Sequence, residues 1–143
     1  MLNLSLRRSI ISKASSNYHI MVVDTNPNQV VTTILGSQGY HISHLFGVRQ
    51  ALSELSITNK KPDLILCDLS GQETDGLEFL REVRNPRYPK IPIMIITALE
   101  SNANFEKAVV DLGADDFVVT PIRASELLLR VRLLLRGLSW FAA

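Results

Sequence analysis

Cysteine is nearly absent from this chain: Cys67 is the single one among 143 residues, so no internal disulfide can staple the fold. It lies inside an apolar run, where a buried thiol is the ordinary expectation, and a reducing cytoplasm is the expected setting. No uninterrupted apolar run approaches the roughly 20 residues needed for a membrane-spanning helix. No serine elbow, phosphate-cradling glycine loop or dinucleotide fingerprint occurs, which removes the usual warrants for an enzyme on an α/β scaffold. His19, His41 and His44 form no ligand spacing with acids or Cys67 and read as surface or strand residues. Charge is close to balanced at +1, but Arg7, Arg8 and Lys13 sit in an acid-free stretch. The remaining body carries 12 basic against 14 acidic residues, which disfavours nucleic acid as the main partner.

What is present is one domain's worth of alternating apolar runs and helical patterns, 46% hydrophobic overall. An apolar strand from His19 to Val23 leads into Asp24, Thr25, Asn26 and Pro27. Asn26 suits a helix N-cap and Pro27 a first helical position. Val31, Ile34 and Leu35 give that helix its inward face, and Gly39 with Tyr40 ends it. A short strand over Ile42 to Leu45 and a helix from about Arg49 to Ser56 follow. Asp63 to Asp68 is a continuous apolar run bounded by acids, as expected of a central strand buried on both faces. A helix after Asp75 and Gly76 carries Leu77, Phe79, Leu80 and Val83. A fourth strand runs from Ile91 to Ile96, a helix spans roughly Asn102 to Leu112, and a fifth strand covers Phe117 to Val119. The last helix runs from about Ser125 to Arg136.

Alternation of this kind predicts an α/β fold: a five-stranded parallel sheet with helices on both faces. Ligands on such sheets bind beyond the carboxyl ends of the strands. Asp24, Asp68, Thr97 and Thr120 all fall there, directly after apolar runs. Asp75 reads as a helix cap as readily as a site residue, and Asp115 and Asp116 read as a solvated turn. Thr97 reads either as a site residue or as a group that only satisfies the backbone.

Three organisational units are expected: a basic N-terminal extension at 1–17, a domain at 18–137 and an apolar tail at 138–143. Leu2, Leu6 and Ile10 recur every four residues, so the extension reads either as a short docking helix or as a transit peptide. In the last helix Leu127, Val131, Leu134 and Leu138 form a sufficient inward stripe. Leu129, Leu133, Trp140 and Phe141 are then surplus, and such apolar excess marks an interface unless the N-terminal segment covers it.

The segment PDLILCDLSGQETDG, from Pro62 to Gly76, resembles the signature of response-regulator receiver domains of two-component systems. There an acceptor aspartate precedes an Asp-Gly pair at the spacing of Asp68 to Asp75 and Gly76. Val22 to Asp24, Thr97 with Ala98, and GADDFVVTP from Gly113 to Pro121 resemble further motifs of the same family, in the same order. The resemblance implies the (βα)5 flavodoxin-like receiver fold. It also implies Asp68 as phosphoacceptor and a Mg²⁺ site from Asp24, Asp68 and the backbone carbonyl of Ser70. Thr97 and Phe117 take the family's switch positions.

Two family residues are replaced. Thr25 stands where a second acid is usual, and Thr120 stands where a lysine precedes the fifth-strand proline. One acid and one ammonium are lost together, so the formal charge of the site is unchanged while two specific contacts disappear, and Mg²⁺ binding is expected to be weak or absent. Gln72 also replaces a proline common four residues after the acceptor. The implied partners are a histidine kinase or phosphotransfer protein, a protein output partner, and a second copy through the face of the fourth helix, fifth strand and fifth helix. Nothing beyond self-phosphorylation and autodephosphorylation is expected as enzymatic activity. The competing expectation is a pseudo-receiver, an interaction module that works without phosphorylation. Output is expected through protein contact, a separate chain, or a portion of protein outside this sequence.

Overall fold

The computed structural model describes residues 17–24, 29–57, 59–68, 73–98 and 103–138, with the side chains of 73–75 and 103–106 left aside. Residues 1–16 of the N-terminal extension, together with Thr25, Asn26, Pro27, Ser70, Gln72, Trp140 and Phe141, lie outside the described residues. The element order is β1 (His19–Val23), α1 (Val30–Gly36), β2 (His41–Leu45), α2 (Val48–Ile57), β3 (Leu64–Asp68), α3 (Glu73–Val83), β4 (Ile93–Thr97), α4 (Ala103–Asp111), β5 (Asp116–Val119) and α5 (Ala124–Leu135). All five strands are parallel, in the order β2-β1-β3-β4-β5.

The two faces of the sheet follow the period-2 alternation of strand side chains. Met21, Val23, Ile65, Cys67, Ile93 and Ile95 pack on one face against α2, α3 and α4 through Ala51, Leu55, Phe79, Leu80, Val83 and Val109. Ile20, Val22, Leu64, Leu66, Met94, Ile96 and Val118 pack on the other against α1 and α5 through Val31, Leu35, Leu127, Val131 and Leu134. Burial on both faces accounts for the unbroken apolar runs of β1, β3 and β4.

Several boundaries differ from those the sequence suggests. α3 begins at Glu73, so Asp75 lies within its first turn and does not precede it as a cap. β4 begins at Ile93 because Pro92, which has no N–H, leads into it; the Pro92 carbonyl accepts from the Ile65 N–H at 2.9 Å. Asp63 stays outside β3, where its carboxylate accepts the His19 N–H at 2.8 Å. Leu138 is 54% exposed, so the inward stripe of α5 ends at Leu134. Gly137, at φ 78°, has already turned the chain away from the helix. Leu129, also 54% exposed, is surplus as the helical spacing predicts, while Leu133 is half-buried.

Asp115 and Asp116 are not a solvated turn. Asp116 is 2% exposed, because period 2 along β5 puts it on the same face as buried Val118. It holds Arg130 of α5 through contacts of 2.8 and 3.0 Å. Asp115 accepts from Arg84 at 2.8 Å and from the Ile93 N–H at 2.9 Å. Arg84 further donates to the Gly113 carbonyl through Nε and Nη2, at 3.0 and 2.8 Å, and to the Ile91 carbonyl at 2.7 Å. One guanidinium thus ties the end of α3 to the starts of β4 and β5. Gly113, at φ 102°, admits this approach, since a Cβ there would meet Arg84 Nε at 3.2 Å.

Candidate functional site

Strand order reverses between β1 and β3, and open parallel sheets bind ligands at the carboxyl ends beside such a reversal. Val23 pairs with Cys67, so Asp24 and Asp68 continue side by side at that edge. Asp24 is 5% exposed, and its N–H donates to the Leu45 carbonyl at 2.9 Å. Its carbonyl accepts from His44 Nε2 at 3.2 Å, so β2 holds the Asp24 backbone from both groups. Asp68 ends β3 half-buried, paired in register with Ile96.

The electrostatic mark of the two acids is visible on Cys67. Burial, followed by the charges of Asp68 and then Asp24, pushes its thiol far above the usual range. Two adjoining carboxylates of this kind suit Mg²⁺, which binds one or two acids and completes its shell with waters and substrate oxygens. No group of three or more His, Cys, Asp and Glu side chains able to hold a metal occurs among the described residues, so a ligand set made of side chains alone is not built there.

Thr97 closes β4 on the next strand over. Its hydroxyl is buried, with the residue 1% exposed, and Thr97 Oγ1 has no hydrogen-bond partner among the described residues. A buried hydroxyl in that condition costs free energy, which a ligand oxygen arriving at this edge would recover. Among the described residues, Thr97 Oγ1 thus satisfies no backbone group. Its own carbonyl accepts the Thr120 N–H at 2.8 Å, which brings half-buried Thr120 to the same edge, just before a cis bond to Pro121. Phe117 is half-buried and packs on the face that carries Thr97. Register pairs Phe117 with Ile95 and Val119 with Thr97, so Phe117 stands diagonally behind the hydroxyl.

The fold therefore gathers Asp24, Asp68, Thr97 and Thr120 at one edge with Phe117 beneath. Leu129 and Leu133 belong to α5. Arg84, Asp115, Asp116 and Arg130 were not singled out as paired groups by the sequence reading. The alternation of β5 was the available signal for Asp116, whereas no local pattern points to Arg84.

Comparison with known proteins agrees with this geometry. The chain is 34% identical over 119 residues to the transcriptional regulatory protein BasR of Escherichia coli (strain K12), covering 82% of this chain and 52% of that one. It is 33% identical over 104 residues to the KDP operon transcriptional regulatory protein KdpE of the same organism, covering 73% and 44%. The chain thus spans about half the length of the curated relatives it matches. Among solved structures, the signal receiver domain of a signal transduction histidine kinase from Syntrophus aciditrophicus superposes with a TM-score of 0.72 at 32% identity, covering 84% of this chain and 91% of that one. A CheY-like response regulator receiver domain protein from Methanospirillum hungatei JF-1 shares the fold, with a TM-score of 0.72 at 20% identity over 84% of this chain and 94% of that one. Residues 20–132 match the family described as the response regulator receiver domain, and the chain belongs to that family.

Proposed function

We propose that this receiver domain accepts a phosphoryl group on Asp68 and signals through protein contacts. The observation that carries the reading is the buried hydroxyl of Thr97, which has no hydrogen-bond partner among the described residues, at the edge where Asp24 follows β1 and Asp68 ends β3. In the proposed step an Asp68 carboxylate oxygen forms a bond to phosphorus as the donor's own bond to it breaks, leaving an acyl phosphate. Thr97 then donates its hydroxyl to a phosphoryl oxygen, and Phe117 moves into the space behind it. Asp24, Asp68 and the Ser70 carbonyl would hold Mg²⁺, which supplies the positive charge that lets a carboxylate meet a phosphoryl group. The donor is a histidine kinase, a phosphotransfer protein or a small phosphodonor. The domain turns over nothing except its own phosphorylation.

The pseudo-receiver reading is favoured by one feature: half-buried Thr120 offers a hydroxyl where the family has an ammonium. A charge-assisted bond to a phosphoryl oxygen is worth about 1.5–3 kcal/mol, so its loss slows phosphorylation by one to two orders of magnitude without touching the fold. Intact-protein mass after incubation with a small phosphodonor and Mg²⁺ separates the readings. One added phosphoryl group on the natural chain and none on Asp68→Asn is the expected result. No adduct under conditions that saturate an ordinary receiver would transfer the assignment to a phosphorylation-independent interaction module.

A further inference from the structure

We propose that His19 and His41 form a binding site for a divalent transition-metal ion, Zn²⁺ or Cu²⁺, at the amino edge of the sheet. The site lies at the opposite strand ends from Asp24 and Asp68, and it does not depend on the phosphoacceptor reading. Spacing along the chain gives no sign of it, because it is the parallel pairing of β1 with the edge strand β2 that sets His19 directly opposite His41. By period 2 both side chains share the face of Met21 and Leu45, which α2 covers. Their ring centroids stand 5.0 Å apart, with the planes inclined at 51°. With Zn–N bonds of about 2.0–2.1 Å and ring centres about 1.1 Å behind each nitrogen, two imidazoles on one tetrahedral ion have centroids about 5 Å apart. The pair already stands at that separation.

The surroundings prepare His19 as a ligand. Its Nε2 meets Ser43 Oγ at 2.6 Å. With the Nε2 proton donated to that hydroxyl oxygen, Nδ1 keeps its lone pair, which is how an outer hydrogen bond fixes the tautomer of a metal-bound histidine. Burial, followed by His41, lowers the His19 pKa, so at neutral pH the lone pair is not lost to a proton. His41 is exposed and its ring makes no hydrogen bond among the described residues, which leaves it able to turn a nitrogen to the ion. Asp63, whose carboxylate accepts the His19 N–H at 2.8 Å, and Glu54 of α2 both act on His19 electrostatically and offset the charge of a dication. No third His, Cys, Asp or Glu completes a metal-holding group among the described residues, so water fills the remaining positions. The donor type selects the ion, since imidazole nitrogen suits Zn²⁺ and Cu²⁺ whereas Mg²⁺ prefers oxygen.

The test is isothermal titration calorimetry of the tag-free protein with zinc or copper(II) chloride, in excess Mg²⁺ to occupy any oxygen-ligand site at the Asp24 and Asp68 edge. The expected result is saturable binding of one ion per chain, tighter for Cu²⁺ than for Zn²⁺, and weakened by about tenfold or more in His41→Gln and in His19→Gln. Ser43→Ala, which removes only the outer partner of His19, should weaken binding in the same direction. Asp68→Asn should bind as the natural chain does. Zn²⁺ should also raise the thermal midpoint of the natural chain and leave that of His41→Gln unmoved. Circular dichroism checks that each variant is folded, and exposed His41 keeps the test decisive should His19→Gln fail to fold. No saturable binding of either ion up to millimolar concentration, or binding unchanged in His41→Gln, would overturn the proposal. Binding lost in Asp68→Asn would overturn it as well, because the ion would then sit at the acidic edge.

Discussion

Replacing Arg84 by alanine removes the donor that joins α3 to the starts of β4 and β5. The Gly113 carbonyl loses two contacts, the Ile91 carbonyl loses one, and Asp115 loses a salt bridge at 2.8 Å. Each half-buried carbonyl left without its donor costs about 1–2 kcal/mol. The ion pair adds less, because the Asp115 side chain is 33% exposed and retains the Ile93 N–H, so about 0.5–1 kcal/mol is appropriate after solvent screening. The total comes to about 2.5–5 kcal/mol, a large part of the roughly 5–15 kcal/mol that stabilises a typical domain. Urea unfolding followed by far-UV circular dichroism reads this directly. With a slope of about 1.5–2 kcal/mol/M, the midpoint should fall by about 2 M. Arg84→Lys keeps the charge but not the fork and should recover only a minor part. A midpoint for Arg84→Ala within about 0.5 M of the natural chain, again on that slope, would refute the account of Arg84 as a three-way tie.

Arg130→Met leaves Asp116 buried beside β5 without its cation and should cost about 3 kcal/mol at neutral pH by chemical denaturation. Burial already raises the Asp116 pKa against the opposing pull of Arg130. The protonated form is thus the one the fold favours, and the penalty should grow as pH rises through the carboxylate range and shrink below it. His19 behaves in the opposite sense: burial first, then His41, lower its pKa from 6.5, with Asp63 and Glu54 pulling the other way. Its contribution is therefore present above about pH 6.5 and lost as pH falls through the lowered value, and thermal melts of His41→Gln should show a shallower acid decline. Cys67 should resist alkylation in the native protein at neutral pH and react only on unfolding, which mass spectrometry with iodoacetamide tests.

Strand and helix identities were legible because they depend on local pattern. Runs such as Leu64 to Cys67 can be buried on both faces only as strands of a covered parallel sheet. The polar residues that end them mark the carboxyl edge before any coordinates are known. That the Thr97 hydroxyl has no partner among the described residues was not legible, since an orphaned atom is defined by everything that surrounds it.

The sequence by itself determined the order of elements, the inward faces of the helices and the four residues Asp24, Asp68, Thr97 and Thr120 at the strand ends. Each of these follows from side-chain periodicity and from what may stand next in the chain. Only the tertiary structure decided the strand order, the turning out of Leu138, and the conversion of Asp115 and Asp116 from apparent turn residues into partners of Arg84 and Arg130. Those outcomes join residues from different elements, up to 31 positions apart for Arg84 and Asp115, and burial makes each such charge seek a partner that no local pattern names.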